Sequence, residues 1–523
     1  MSTAPRRPDL ANEPVGRLML RLSIPTITAQ LVNMLYNLVD RIYISYIPDV
    51  GTLALTGLGV CLPIILLVSA FAALCASSGA PLASIAMGQR NNEKAEGILG
   101  SCTALLLCVS AVLTVVLSCF YTPILLAFGA TEDALPYAQR YIAIYSLGTV
   151  FVQLSLGLNP FITAQGFSKA GMLTVLIGAV LNTLLDPLFI FVFHMDVQGA
   201  ALATVISQAV SAAFVLRFLT GRQTILHLKR RLLRLNWKLL APCVALGLAP
   251  FIMQSTESLV SVCFNTSLRA AGGTLAVGTM TICSTLMQFA LLPLQGLSQG
   301  AQPIISFNYG AKHPERVKAA FRILLISCLS FSLVLGLTCI FAPQIFVYLL
   351  TPDEALREYA IPCVRLYMAG VTIFGAQIAC QQTFVALGNA KCSLFLACLR
   401  KLILLIPLMI SEKQAAADID RGRFAARVFV VVGVLWMSCA FWLIATNSVF
   451  DADVGMSHIS TVSQTRATSR YCYMDVVWDG RTLDFPVSKE DFSAISAGDE
   501  VLVTAYDGFW GAPYYTWEIP QSP

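Results

Sequence analysis

Apolar residues in this chain do not form the narrow stripes of soluble helices. They come in runs of about 20, long enough to cross the hydrocarbon core of a bilayer. Such runs fall near 22–46, 53–77, 97–121, 138–162, 171–193, 199–219, 239–268, 274–299, 318–342, 357–386, 393–410 and 424–446, which predicts twelve spans. The loops between them alternate in charge. Arg90 with Lys94, Lys169, the run from Arg217 to Lys238, Lys312 with Arg316 and Lys318, and Lys391 follow even-numbered spans. Asp49, Glu132 with Asp133, and Asp353 with Glu354 follow odd-numbered ones. By the positive-inside rule the basic loops are cytoplasmic and odd-numbered spans run outward. The N-terminus is basic and shows no A-x-A cleavage site, so the first run reads as a retained helix starting from the cytoplasm.

A second pattern is an internal repeat. At a constant offset of 222 residues, Gly88 matches Gly310, Glu93 Glu315, Lys94 Arg316, Tyr137 Tyr359, Tyr145 Tyr367, Gly148 Gly370, Gly166 Gly388 and Lys169 Lys391. Six spans separate corresponding points, so the copies are parallel. The expected architecture is two six-helix lobes related by an axis along the membrane normal, with a cleft between them, as in alternating-access transporters. This divides the chain into an N-terminal lobe (1–220), a basic linker (221–238) and a second lobe (239–410).

After Ile410 the repeat stops. Arg400 and Lys401 interrupt the eleventh run, and residues 411–427 have no counterpart in the first copy. If 393–410 spans fully, Arg421, Arg423 and Arg427 fall outside, against the charge rule. If it is truncated or re-entrant, they stay inside, the run 424–446 leads outward, and the tail is extracytoplasmic; the charge rule favours this version. Residues 411–446 are thus expected to be a linker with an atypical last helix, and the second lobe to be incomplete. From 447 onward the composition is that of a small soluble β unit, with strands at 471–478, 482–487, 500–505 and 514–519 and turns at Asp479-Gly480, Gly498-Asp499 and Asp507-Gly508. Its aromatic residues, among them Tyr473, Trp478 and Trp517, read more readily as core than as a ligand face.

Composition sharpens these readings. With 57% hydrophobic and 12% charged residues and a mean hydropathy of +0.73, the chain carries more apolar surface than a globule can bury. The net charge of +5 sits in short loops, so it reports topology and not nucleic-acid binding. Most of the sixteen cysteines lie in apolar runs without CxxC spacing and read as small hydrophobes; no metal centre, cofactor or enzymatic activity is expected.

Ionisable groups inside the apolar runs are therefore informative, because each costs roughly 2.5–3.5 kcal/mol at a bilayer centre. Asp40 shares a helix face with Asn33 and Tyr36 at i, i+3 and i+7 spacing. Asn182 and Asp186 stand four apart on the fifth run. At 1.5 Å per residue Asp40 lies roughly 27 Å along the first run, Asp186 roughly 22 Å along the fifth, and Thr204 roughly 8 Å into the sixth from outside. These depths are compatible with one cation site. Glu257 is again roughly 27 Å along the seventh run, a possible site in the second lobe. Asn33, Gln153, Asn159, Met253, Met287 and Gln288 are candidates for a substrate path, with plain interhelical packing as the competing reading.

The stretches YNLVDRIYISYIPDVGTLALTGLGVCLPI, GAPLASIAMGQRNNEKAEGILG and GLSQGAQPIISFNYGAKHPERVKAAFR resemble the multidrug and toxic compound extrusion (MATE) family, bacterial type, over about residues 15–410. The resemblance implies twelve helices in two lobes and export of amphipathic, often cationic compounds in exchange for Na+ or H+. It also implies a cation site at Asp40, Asn182, Asp186 and Thr204, with Tyr36 beside Asp40, and a role for Glu257 as in some members. Expected partners are small amphipathic substrates and the lipid bilayer, with no nucleic acid, in a monomer of the bacterial plasma membrane. The competing readings are a non-transporting scaffold or receptor whose partial second lobe anchors the β tail, and a lipid-linked precursor flippase.

Overall fold

The computed structural model describes residues 9–393, except 49 and 352, with the backbone alone over 256–277, and parts of 456–518 that include five strands. The chain forms two compact units, Met1–Cys439 and Ala440–Pro523. Residues 394–455 lie outside the described residues, and with them the expected spans eleven and twelve and the question of the incomplete lobe.

In the first unit the elements are α1 (Val15–Ser45), α2 (Gly51–Gly88), α3 (Asn92–Ala127), α4 (Leu135–Leu147), α5 (Thr149–Ala164) and α6 (Ser168–Pro187). They continue with α7 (Asp196–Thr220), α8 (Trp237–Gly310), α9 (Pro314–Phe341), α10 (Pro343–Leu350), α11 (Glu354–Ala369) and α12 (Val371–Ala386). This is a polytopic all-α membrane protein, with eight helices apolar and long enough to span and up to ten spans if two bent pairs count as one each, among the described residues.

The spans differ from the pattern of apolar runs in three ways. The first begins at Val15, seven residues before the apolar run, because Arg17 and Arg21 are carried in the helix at the interface, where Arg21 pairs with Glu13 at 3.1 Å. The fourth is broken at Gly148, where α4 and α5 meet at 60°, and its repeat counterpart is broken at Gly370, where the bend is 43°. A methyl at Gly148 would overlap the Val205 side chain, so the bend and the approach of α7 require glycine there. The third difference is α8, an unbroken run of 74 residues where two spans with a turn were expected. Straight, it would be roughly 110 Å long. Yet Gly247 packs on the backbone of Leu74 and Gly310 on that of Ile85, and these positions in α2 are only about 16 Å apart. The run therefore reverses direction between Gly247 and Gly310 and supplies two spans, Trp237–Ser255 and Gly278–Gly310.

The repeat is visible in atomic detail. Ser84 donates to the Ala164 carbonyl at 3.4 Å, and Ser306, its equivalent, donates to the Ala386 carbonyl at 2.7 Å. Arg90 and Lys312 share a positive φ of 60° and 58°, as do Gly166 and Gly388 at 89° and 74°, so both copies turn back into the membrane in the same way. Between the lobes, a methyl on Gly88 would overlap the Phe307 carbonyl and one on Gly310 the Ile85 carbonyl. Positions 85 and 307 are themselves one repeat apart, so α2 and the end of α8 cross about a local two-fold axis. Such close crossings of small residues are how helices associate where lipid supplies no hydrophobic drive. Other lobe-to-lobe joints, Thr26 to the Gly296 carbonyl at 2.6 Å and Gly300 against Ser23, lie in the half of the bundle nearer the basic loops.

The basic linker is fastened to the first lobe. The side-chain oxygen of buried Gln165 accepts from Thr224 Oγ1 and from the backbone N–H groups of Ile225 and Leu226 at 2.7–2.9 Å. Glu96, also buried, accepts from Lys229 Nζ at 2.5 Å and from the His227 N–H at 3.2 Å. The segment before α1 is held by the second lobe in its turn: Arg316 donates to the carbonyls of Leu10 and Glu13 at 3.2 and 2.7 Å.

In the second unit, β1 (Met456–Ala467), β2 (Cys472–Trp478), β3 (Arg481–Val487), β4 (Glu500–Tyr506) and β5 (Tyr514–Glu518) form one antiparallel sheet in the order β3-β2-β1-β4-β5. Four strands match the alternating runs in the sequence. The fifth, β1, is the central one and was not among them. Its sequence, MSHISTVSQTRA, is mostly Ser, Thr and other polar residues, which read as loop. Val462 of this strand is buried and joins Met474, Val476, Val501 and Val503 in the core, with Trp517 packed against it.

Candidate functional site

The ionisable residues singled out in the first lobe meet. At the ends away from the basic loops, α1 carries Asp40 five residues from its last residue, the helix continuing α6 ends at Val192, six residues past Asp186, and α7 begins at Asp196, eight residues before Thr204. Measured from those ends the three lie roughly 8, 9 and 12 Å deep, at levels compatible with one site. The α-helix ends at Pro187 and the chain goes on as one π-helical turn, Leu188–Val192, so Asp186 sits at a register change within a span. π-Turns of this kind are frequent where a side chain has to be aimed into a site.

Asp40 and Asp186 lie close enough for each carboxyl to act on the other. Asn182 donates from Nδ2 to Asp186 Oδ1 at 3.2 Å and, at 3.5 Å, to Thr204 Oγ1. Asp186 is fully buried and Asn182 is 2% exposed. Tyr36 is close enough to feel both carboxylates. Asp40 Oδ1, Asp186 Oδ2 and Asn182 Oδ1 are buried with no hydrogen-bond donor facing them. Three unsatisfied oxygens around two acidic groups are costly in a low-dielectric interior, where like charges repel strongly and a lone polar atom loses its hydration. A small cation fits that donor set, since it supplies both the positive charge and the missing ligand. Arg41 is exposed, and its charge acts on Asp40 from outside the cage.

The remaining candidates scatter. Glu257 is in the stretch whose side chains lie outside the described residues. Asn33 lines a cavity of about 40 Å³ inside the first lobe. Gln153 is buried and donates to the Val68 carbonyl at 2.7 Å, and Asn159 donates to the Gly171 carbonyl at 3.3 Å, so each holds two helices together. Met253 contacts Gln381 of the second lobe at 2.7 Å. Met287 packs on the core of Ile282, Leu286 and Val364, and Gln288 is exposed. These residues do not share one pocket among the described residues.

The site also includes residues that sequence reasoning passed over. Tyr141 of α4 is buried, stacks on Tyr145 with centroids 6.0 Å apart, and lies close to Thr204. A tyrosine in an apolar run reads as core, so nothing marked it. Ser207, Gln208 and Ser211 line the cavity below Thr204. They did leave a signal, a polar stripe at i, i+3, i+4 and i+7 from Thr204 on an otherwise apolar helix.

The MatE family model matches residues 25–188 and 249–410 of this chain, two blocks whose ends, 188 and 410, stand 222 residues apart. The chain belongs to the MATE family. The MATE match stops at Ile410, where the internal repeat also stops. Relatives include the multidrug export protein MepA of Staphylococcus aureus (strain NCTC 8325 / PS 47), 23% identical over 429 residues and covering 81% of this chain and 90% of that protein. MepA of Staphylococcus haemolyticus (strain JCSC1435) is 24% identical over 361 residues, 69% of this chain and 79% of that protein. Among solved structures, one described as the outward-facing conformation of a multidrug resistance MATE family transporter of the MOP superfamily superposes with a TM-score of 0.77 at 21% identity. It covers 86% of this chain and 99% of its own. A MOP superfamily transporter from Pyrococcus furiosus Vc1 (DSM3638) gives the same score, identity and coverage. These structures share the two-lobed MATE fold of residues in the first unit.

Proposed function

We propose that this chain is a cation-coupled antiporter that exports amphipathic, often cationic compounds across the bacterial plasma membrane by alternating access, with its N-terminus and basic loops in the cytoplasm. The observation that carries this reading is the Asp40–Asp186 pair in an intact first lobe, with Asp186 fully buried, Asp40 Oδ1 buried beside it, and Asn182 and Thr204 completing an oxygen cage. The MATE fold and the export named for the MepA relatives support the same direction.

In the outward-open state the pair takes up Na+ or a proton from outside. The two carboxylates can stay this close only when a positive charge lies between them, so occupancy favours a packing of α1 against α6 and α7 that the empty, doubly charged site disfavours. Substrate is released outward as that packing forms. The ion then leaves inward down its gradient, each charge gaining about 2.3 kcal/mol per 100 mV. Coupling requires that ion and substrate bind the two states with different affinity. Joints between the lobes in the half nearer the basic loops, such as Gly88 on Phe307 and Thr26 on Gly296, are the contacts that the inward-opening movement has to release.

The direct test is Asp40→Asn in energised vesicles. The variant is expected to keep its thermal stability and lose gradient-driven ethidium efflux; full export by it would overturn the mechanism.

A further inference from the structure

We propose that the first lobe holds a second, uncharged Na+ site on the basic-loop side of the Asp40–Asp186 pair, and that the coupling ion leaves the pair through this site, within the lobe, toward the cytoplasm. The inference rests on the coupling role of the carboxylates and adds the ion's inward route. The first observation is the cavity itself. It begins at Asn182, Thr204 and Tyr36, next to the carboxylates, and continues past Ser207, Gln208 and Ser211. Its volume of about 40 Å³ has room for one small ion or water and not for a drug.

The second observation is what the walls offer. Asn182 Oδ1, Ser207 Oγ and Gln208 Oε1 are buried and face no hydrogen-bond donor. Asn182 and Ser207 are 2% and 3% exposed. Amide and hydroxyl oxygens with free lone pairs replace the hydration shell of a hard cation, as carbonyl oxygens do in ion-selective pores. None of these groups is charged, so the site binds less tightly than the carboxylates. A step on a conduction route has that property: strong enough to enter and weak enough to leave.

The third observation is direction. From Thr204 to Ser211 the stripe descends roughly 10 Å toward the basic loops. Beyond it, Asn159 Oδ1 and Ser168 Oγ are again buried oxygens without a donor, at the end of α5 and the start of α6. Gly178 keeps the passage open. A methyl there would come within 2.5 Å of Ser211 Oγ, on the cavity wall.

The experiment uses the full chain in proteoliposomes and 22Na+ as the probe, and measures equilibrium binding and transmembrane exchange separately. Ser207→Ala combined with Gln208→Leu, and independently Gly178→Ala, are expected to slow 22Na+ exchange by about tenfold or more while equilibrium binding stays within about twofold of wild type. The glycine variant removes no oxygen and adds no polar group, so it narrows the passage at Ser211 and leaves Asn182, Ser207 and Gln208 in place. Exchange at the wild-type rate in both variants overturns the proposal, as does loss of binding together with exchange, which would make these residues part of the carboxylate site. Absence of saturable 22Na+ binding to the wild type also overturns it. Asp40→Asn serves as the reference for the coupling role: undiminished 22Na+ binding by that variant would refute the carboxylate site itself, a result distinct from fast exchange in the cavity variants.

Discussion

At the scale of single residues, the legible part of the site was the part that breaks a rule. Asp40, Asn182 and Asp186 stand out because a carboxylate or amide in an apolar run is expensive and needs a reason. Thr204 was found by depth, and the structure brings it to 3.5 Å from Asn182. Replacing its hydroxyl by a methyl keeps the shape and removes one oxygen from the cage. Thr204→Val is therefore expected to weaken the apparent affinity for the coupling cation about fivefold to tenfold, the effect of one hydrogen-bonding partner, with the maximal efflux rate kept. A titration of efflux against external Na+ or pH checks it, and an unchanged midpoint would place Thr204 outside the cage. Tyr141 could not have been found in this way. It breaks no rule, and only the packing of α4 against α7 brings it close to Thr204.

At the scale of elements, the pattern of apolar runs gave the order of the spans among the described residues but not their ends or bends. Helices extend past the hydrocarbon because the interface still favours a hydrogen-bonded backbone, and α1 begins at Val15 for that reason. The breaks at Gly148 and Gly370 are invisible to hydropathy, which averages over the bend. They are visible only in the repeat, where glycine recurs at the same place in both copies. β1 shows the opposite failure, a central strand hidden by a surface-like sequence. The repeat also yields a prediction about packing. Gly88→Ala and Gly310→Ala each drive a methyl into a backbone carbonyl of the other lobe, Phe307 or Ile85. Backbone cannot rotate aside, so each is expected to cost roughly 2 kcal/mol or more, and by symmetry the two costs should be similar. Gly59→Ala on the same helix α2 meets nothing within 4 Å and is expected to be neutral or to stabilise by up to about 1 kcal/mol. Thermal midpoints of the purified variants in detergent give the ranking; equal effects at Gly59 and Gly88 would rule out the crossing.

At the scale of the whole molecule, the first unit contains every residue assigned a role in transport, and the β unit contains none. The sheet has its own core around Val462, Met474 and Val503, so its folding does not depend on the helices for apolar partners. Removal of residues 447–523 is accordingly expected to leave ethidium efflux within about twofold of the full chain, since it takes away no part of the bundle's core. A scaffold or receptor that exists to display the β unit would lose its function on the same truncation, and a loss of efflux would favour a tail that takes part in transport. The linker adds a constraint on how the lobes move. With Thr224 to Lys229 bound to Gln165 and Glu96 and Leu232 packed on Gly100, only Leu233 to Asn236 are left to join the lobes. Fully extended they reach roughly 13–14 Å, enough for rocking about the seam and too little for separation.

The reciprocal contacts of Gly88 with Phe307 and of Gly310 with Ile85 have the form of an isologous interface, the kind that two identical subunits make across a two-fold axis. In that light the bundle is a dimer whose two subunits have been written into one chain. Once joined, only positions on the axis must keep matching each other, and all others are free to specialise. The residues 222 places after Asp40, Asn182 and Asp186 are Val262, Leu404 and Leu408. One half has kept the charges while the other, at the same places, is plain hydrocarbon, so the molecule runs on a division of labour that a true homodimer could not have.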